Sequence, residues 1–361
     1  MKKINNTNKT SRESKTDPAN CIPMESRFAL PFKQSLHYIL SCQSTSGAIR
    51  WFKDGKLDPW DHTEALMALT IGGFLDEAQK GFNWLRENQN TDGSWFANYF
   101  SENSDTENIE TNFVAYPATG LWHYYLVTQD ISVLQVFFPM IEKAINYVLG
   151  HQTNEGDIQW AISTDKAVAK DALITACSSI LRSVESAISC AQVLNADCEH
   201  WIPAYEKLFD ALKNKPWRFD RTWESKERYS MDWFYPILAG VYGEQEARIR
   251  LKESWNKFYE KDIGCRCVSD EPWMTVAESC ELSLALCAAN KKEEAGNLLG
   301  DLLAWQDTDG GFWTGYNFRD KNIWPREKTT WTAGAFVLAI DATFNLSPAS
   351  NLFTTPGSIS N

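Results

Sequence analysis

Histidine is scarce in this 361-residue chain, with five copies and none beyond His200. A metal site built from histidines gathered late in the chain is therefore excluded, and neither a metal nor another cofactor is expected. Positive charge is also in deficit: 35 Lys and Arg stand against 47 Asp and Glu, a net charge of −12 with no clustered basic stretch. That balance argues against a nucleic-acid partner, because binding phosphates requires a basic face. No apolar run reaches the roughly 20 residues that cross a bilayer, and the lysines of "MKKINNTNKT" are followed by polar residues rather than a signal-peptide core. No transmembrane segment is expected, while peripheral membrane contact stays open. The nine cysteines are scattered and sit mostly in helical apolar patterns such as "ITACSSIL", which reads as free thiols in a cytoplasmic protein. Linkers rich in Pro, Gly or Ser are missing, and strand-like alternation is nearly so.

What is present is a large apolar fraction, 43%, with 16 Trp and 19 Phe. Many of the aromatics fall in loops, pointing to an aromatic-lined cavity or rim. A unit of Gln, three residues, Gly and a following Trp occurs four times: "QSTSGAIRW" from Gln43, "QNTDGSW" from Gln89, "QTNEGDIQW" from Gln152 and "QDTDGGFW" from Gln306. Each copy follows an apolar helical stretch, so the Gln lies at a helix C-terminus and the Gly permits the turn that ends it. A shift of 217 residues aligns Asp61 to Phe96 with Glu278 to Trp313 without a gap, pairing Glu64 with Glu281 and Gln89 with Gln306.

Helical periodicity predicts about twelve helices, starting near Phe32, Trp60, Asp76, Ile109, Ile131, Asp171, Ile202, Tyr229, Glu244, Trp273, Lys291 and Thr329. Charged helices alternate with smaller, more apolar ones, as an outer ring around an inner ring requires. The expected fold is all-α, an (α/α)6 toroid of six hairpins over residues 26–346. Residues 1–25 are expected to form a disordered polar tail and 347–361 a flexible one, and the oligomeric state stays open.

The loops leading into the inner helices converge on one mouth, and they are acidic and aromatic. Asp61 with Glu64, and Glu278 with Glu281, place two carboxylate pairs on inner helices. Crowded, partly buried carboxylates raise one another's pKa until one holds a proton near neutrality, which suits a general acid; first-turn acids also cap helices. Trp60, His62, Asp232, Trp233, Trp273, Trp313, Tyr316, Trp324, Glu327 and Trp331 are the candidate substrate-binding residues. Their aromatic faces suit either carbocations or sugar rings.

Lys80, Gly81, Trp84, Leu85, Gln89, Gly93 and Trp95 match the QW motif, so the chain resembles squalene-hopene cyclases and other class II terpene cyclases; "TDGGF" from Thr308 is similar to protein prenyltransferase β-subunits. The resemblance implies acid-initiated chemistry on an isoprenoid-like or other hydrophobic substrate. Aligning Thr63 with the Thr of the cyclases' D-x-D-D-T puts Asp61 at the proton donor, with His62 and Pro59 in place of two of the acids. A six-hairpin glycosidase, using paired carboxylates and sugar-stacking tryptophans on a carbohydrate, is the alternative. A non-catalytic ligand-binding toroid is the third.

Overall fold

The computed structural model describes residues 25–100, 108–162 and 170–357. The hairpins begin with α1 (Ser26–Cys42), α2 (Pro59–Ile71) and α3 (Leu75–Glu87). The chain continues through α4 (Thr111–Ala115) and α5 (Pro117–Thr128), which meet at Tyr116 as one bent inner helix, then α6 (Ile131–Leu149) and α7 (Ile174–Leu194). It ends with α8 (Trp201–Asn214), α9 (Ser230–Leu238), α10 (Glu244–Phe258), α11 (Val276–Ala288), α12 (Lys292–Leu302) and α13 (Thr330–Phe344). The inner ring runs α2, α4 with α5, α7, α9, α11 and α13, and closes where α13 packs on α2. The architecture is the (α/α)6 toroid expected from periodicity. Inner helices are buried nearly all round: every residue of α13 except Trp331 is buried, as is all of α2 except Ile71. Outer helices such as α3 and α8 bury one stripe and expose the other.

The repeated Gln and Gly form joints between successive outer helices. In each copy the Gln side-chain amide donates to the carbonyl of its own Gly and to a carbonyl of another outer helix. Gln43 reaches Glu77 on α3 (2.9 Å), Gln89 reaches Met140 on α6 (2.9 Å) and Gln152 reaches Ala204 on α8 (2.8 Å). Gln306 reaches back to Pro31 on α1 (3.0 Å), closing the outer ring. Gly93 (φ +97°) and Gly310 (φ +90°) show why the glycine is needed: a Cβ would lie 2.5 Å from the Lys143 carbonyl oxygen and 2.3 Å from that of Gln34. The repeat therefore answers to packing.

Two features depart from the sequence expectation. Short strands border the mouth: β1 (Ile109–Glu110) pairs with β2 (Ala161–Ile162). A five-stranded antiparallel sheet takes β3 (Tyr259–Glu260), β4 (Gly264–Arg266), β5 (Trp273–Thr275), β6 (Gly315–Asn317) and β7 (Asn322–Ile323) in order. Strands of two or three residues are too short to show alternation. The stretch 347–357, expected as a flexible tail, packs across the end of the ring opposite the mouth. Leu352 and Phe353 are buried there, and Arg182 donates to the carbonyls of both Leu238 and Thr355. The tail expected over residues 1–25 lies, apart from Glu25, outside the described residues, as do 358–361. Among the described residues no helix is long and apolar enough to cross a membrane.

Candidate active site

The N-terminal ends of the inner helices surround two adjoining chambers. The larger, of about 410 Å³, is lined by Trp51, Asp58, Trp60, Asp61, Asn112, Phe113, Trp273, Trp324, Glu327 and Trp331 among others. The smaller, of about 260 Å³, is lined by Lys226, Tyr229, Asp232, Cys267 and Glu278, and the two share Thr175 and Met231.

The start of α2 sets the first group of acids. Pro59 occupies its first turn and Asp58 caps it, one carboxylate oxygen accepting the Asp61 N–H at 2.8 Å and the other the Trp51 indole N–H at 2.6 Å. Two donors favour the Asp58 anion, although burial raises its pKa. Asp61 is only 6% exposed, and its Oδ2 has no partner among the described residues. Burial drives the Asp61 pKa well above the usual carboxylate range, and the nearby Asp58, Glu64 and Glu327 push it the same way. Asp61 is thus a buried carboxyl group whose surroundings favour its protonated form. Asn112 Oδ1 and Trp331 Nε1, which belong to residues of the same chamber wall, are also buried with no partner among the described residues.

Glu278, first turn of α11, lines the smaller chamber; burial raises its pKa, opposed by the Thr275 and Cys267 side chains. Asp232, in the first turn of α9, accepts the Thr175 hydroxyl at 2.8 Å and is raised to about 6, chiefly by burial. Glu110 is raised to about 7 by burial and by Asp58.

Glu64 and Glu281 lie one turn further along their helices and line neither chamber. Glu64 accepts the Tyr116 hydroxyl at 3.0 Å and is raised to about 8 by burial. Burial raises Glu281 well above its usual range, with Glu64 and Glu278 adding to it.

Of the other candidates, Trp60, Trp273, Trp324, Glu327 and Trp331 line the larger chamber, and Asp232 the smaller. Trp273 donates its indole N–H to the Trp324 carbonyl (2.8 Å), and their rings meet edge on at 5.0 Å. His62 faces away from the chambers. Its Nδ1 accepts the Ile49 N–H (3.1 Å), which leaves Nε2 to donate to the Gly81 carbonyl (3.1 Å), tying a joint to α3. Burial lowers its pKa to about 4, so it is a neutral structural residue rather than a cationic neighbour of Asp61. Trp233 stacks on Phe258 between α9 and α10 and lines a separate cavity there. Tyr316 packs on Trp305, and Trp313 lies beneath the Lys328 and Arg326 cations. Sequence reasoning missed Trp51, Asp58, Asn112, Phe113, Thr175 and Met231. Only Asp58 had a readable signal, an Asp directly before a helix-opening Pro.

Acids and tryptophans converging at the mouth of an (α/α)6 toroid define a class shared with carbohydrate-active proteins. A wild-type glycosidase matches with a TM-score of 0.71 over 90% of this chain and 100% of its own, at 12% identity. A D-mannose isomerase matches with a TM-score of 0.62 over 88% and 98%, at 14% identity. At those identities the likeness is one of fold. No family model matches the chain. The chain is 38% identical over 321 residues to the MMP endo-(1,4)-3-O-methyl-alpha-D-mannosidase of Mycolicibacterium hassiacum, covering 89% of this chain and 88% of that protein. It belongs to the family of that endo-mannosidase, a glycosidase-like family of carbohydrate-active proteins. The resemblance to terpene cyclases and prenyltransferases accordingly reaches no further than the toroid, and the cyclase reading gives way to the glycosidase one.

Proposed function

We propose that the protein is an endo-acting glycoside hydrolase that cleaves an internal α-mannosidic bond in a partly O-methylated oligosaccharide. One observation carries this reading: Asp61 Oδ2, buried and without a partner among the described residues, belongs to the wall of a tryptophan-lined chamber in which Asn112 Oδ1 and Trp331 Nε1 are likewise buried without one. Unpaired polar groups held in an apolar wall suit a ligand that is mostly apolar in outline and offers a few hydroxyls. Sugar rings bearing methyl ethers have that character, and the 3-O-methyl mannoside named for the relative agrees with it. Two chambers side by side, sharing Thr175 and Met231 in their walls, give room for a chain on both sides of the broken bond.

In this mechanism Asp61 gives its proton to the glycosidic oxygen as the bond to the anomeric carbon breaks. Glu278, related to Asp61 by the 217-residue internal repeat and set in the adjoining chamber, supplies the second carboxylate, which takes a proton from the water whose oxygen bonds to the freed anomeric carbon. Asp58 keeps the proton on Asp61 by remaining the anion of the pair. Trp51, Trp60 and Trp331 offer faces against which the sugar stacks.

The test is mass spectrometry of products from methylated and unmethylated α-1,4-mannooligosaccharides incubated with wild type, Asp61→Asn and Glu278→Gln. Internal cleavage by wild type, with kcat lower by about 10² to 10⁴ in Asp61→Asn, is expected. No cleavage by wild type, or full activity in Asp61→Asn, would refute the assignment.

A further inference from the structure

We propose that Glu64 is a positioning residue, which fixes the aromatic floor of the sugar site through Tyr116 and Trp60; this rests on the glycosidase reading above. Trp60 lines the larger chamber, and its ring lies on that of Tyr116 at 4.3 Å with only 10° between the planes. Tyr116, at the bend between α4 and α5, is 2% exposed and donates its hydroxyl to Glu64 Oε2 at 3.0 Å. Glu64 is itself 2% exposed and packs against α13 at Gly334, where a Cβ would come within 3.4 Å of its Cγ. Phe113 (6.1 Å) and Tyr235 (5.7 Å) meet the Trp60 ring at tilted angles, so the Tyr116 ring is its parallel partner.

The chain of contacts is therefore Glu64 to Tyr116 by a hydrogen bond, Tyr116 to Trp60 by stacking, and Trp60 to the sugar by its remaining face. A carboxyl that bonds in this way, buried beneath the chamber and lining neither part of it, has no path to a glycosidic oxygen. With its pKa raised to about 8 by burial, it serves as an uncharged acceptor below that pH. The α4–α5 bend at Tyr116 and the acidic start of α2 are thereby tied into one rigid unit under the sugar.

Full-length Glu64→Gln, Glu64→Ala and Tyr116→Phe are compared with wild type for kcat, KM and the pH dependence of kcat on a cleaved oligosaccharide. Tyr116→Phe and Glu64→Ala are expected to raise KM by about threefold to tenfold, the equivalent of one hydrogen bond, with kcat within about twofold and, in Tyr116→Phe, which leaves every acid of the site in place, an unmoved pH profile. Glu64→Gln, whose amide oxygen still accepts the Tyr116 hydroxyl, is expected to recover most of the binding. Loss of kcat by about a hundredfold in Glu64→Gln would mean that Glu64 reacts, and an unchanged KM in all three variants would mean that the stack needs no support; either overturns the inference while leaving the glycosidase reading intact. Absence of hydrolysis by wild type overturns that reading and this inference together.

Discussion

The joints between outer helices carry a quantitative prediction that separates folding from chemistry. Gln89→Ala removes two hydrogen bonds from one side-chain amide, to Gly93 and Met140, each 2.9 Å long. At a net value of about 1 kcal/mol apiece, the loss is about 2 kcal/mol. Unfolding entropy of about 2.1 cal/mol/K per residue, taken over 361 residues, gives a fall in Tm of about 3 °C. Gly93→Ala forces an alanine to φ +97° with its Cβ 2.5 Å from the Lys143 carbonyl oxygen, so α6 must shift outward. Backbone strain there costs about 1–3 kcal/mol before the clash is counted, and the fall in Tm should exceed that of Gln89→Ala. Gln306→Ala should also exceed it, because that amide meets Pro31, Ser35 and Gly310 and closes the ring. Differential scanning calorimetry measures the shifts, and kcat/KM at 25 °C measures the chemistry, which is expected within about twofold of wild type in all three. A wild-type Tm with collapsed kcat/KM would refute the reasoning, since the repeated motif would then belong to the reaction and not to the fold.

Two further predictions concern protons. Asp58→Asn removes the anion beside Asp61 and so lowers the proton affinity of Asp61; the alkaline limb of the kcat profile should move to lower pH, and an unmoved limb would show that Asp58 does not tune the acid. Glu64 is raised from 4.5 to about 8 on folding, so the folded state holds more protons than the unfolded one between those values and stability falls as pH rises through that window. Glu64→Gln lacks this slope, and its Tm relative to wild type should climb between about pH 5 and pH 8; a constant difference would show that the buried carboxyl does not titrate there.

Much of the ring is legible from sequence. Helix starts at Ile131 and Glu244 fall where periodicity puts them, and the alternation of charged with apolar helices gives the outer and inner rings. The internal repeat singles out Asp61 and Glu278 as equivalent first-turn acids of α2 and α11, before any chamber is seen. Direction is what sequence leaves out. An inner helix such as α2 is buried nearly all round, and its consecutive polar residues Asp61 to Glu64 point to every side, so its pattern has no single polar side to mark the cavity. Asp61 and His62 are neighbours in sequence, yet successive residues point about 100° apart around a helix. One therefore reaches the chamber while the other pins a joint. Asp232 and Trp233 also part: both border the cavity beside α10, but only Asp232 reaches the smaller chamber as well.

The joints themselves look alike in any toroid that needs them, which is why the Gln and Gly repeat determined a ring without determining its chemistry. Trp51 on the α1–α2 loop, Asn112 on α4, Trp273 on a three-residue strand and Glu327 before α13 come from stretches with no shared local signal. Sequence determined the helices, their order and the acids at their starts, because those follow from residue period and capping chemistry. Only closure of the inner ring, α13 against α2, decided which side chains share the mouth, because that proximity is set by long-range packing and not by any neighbour along the chain.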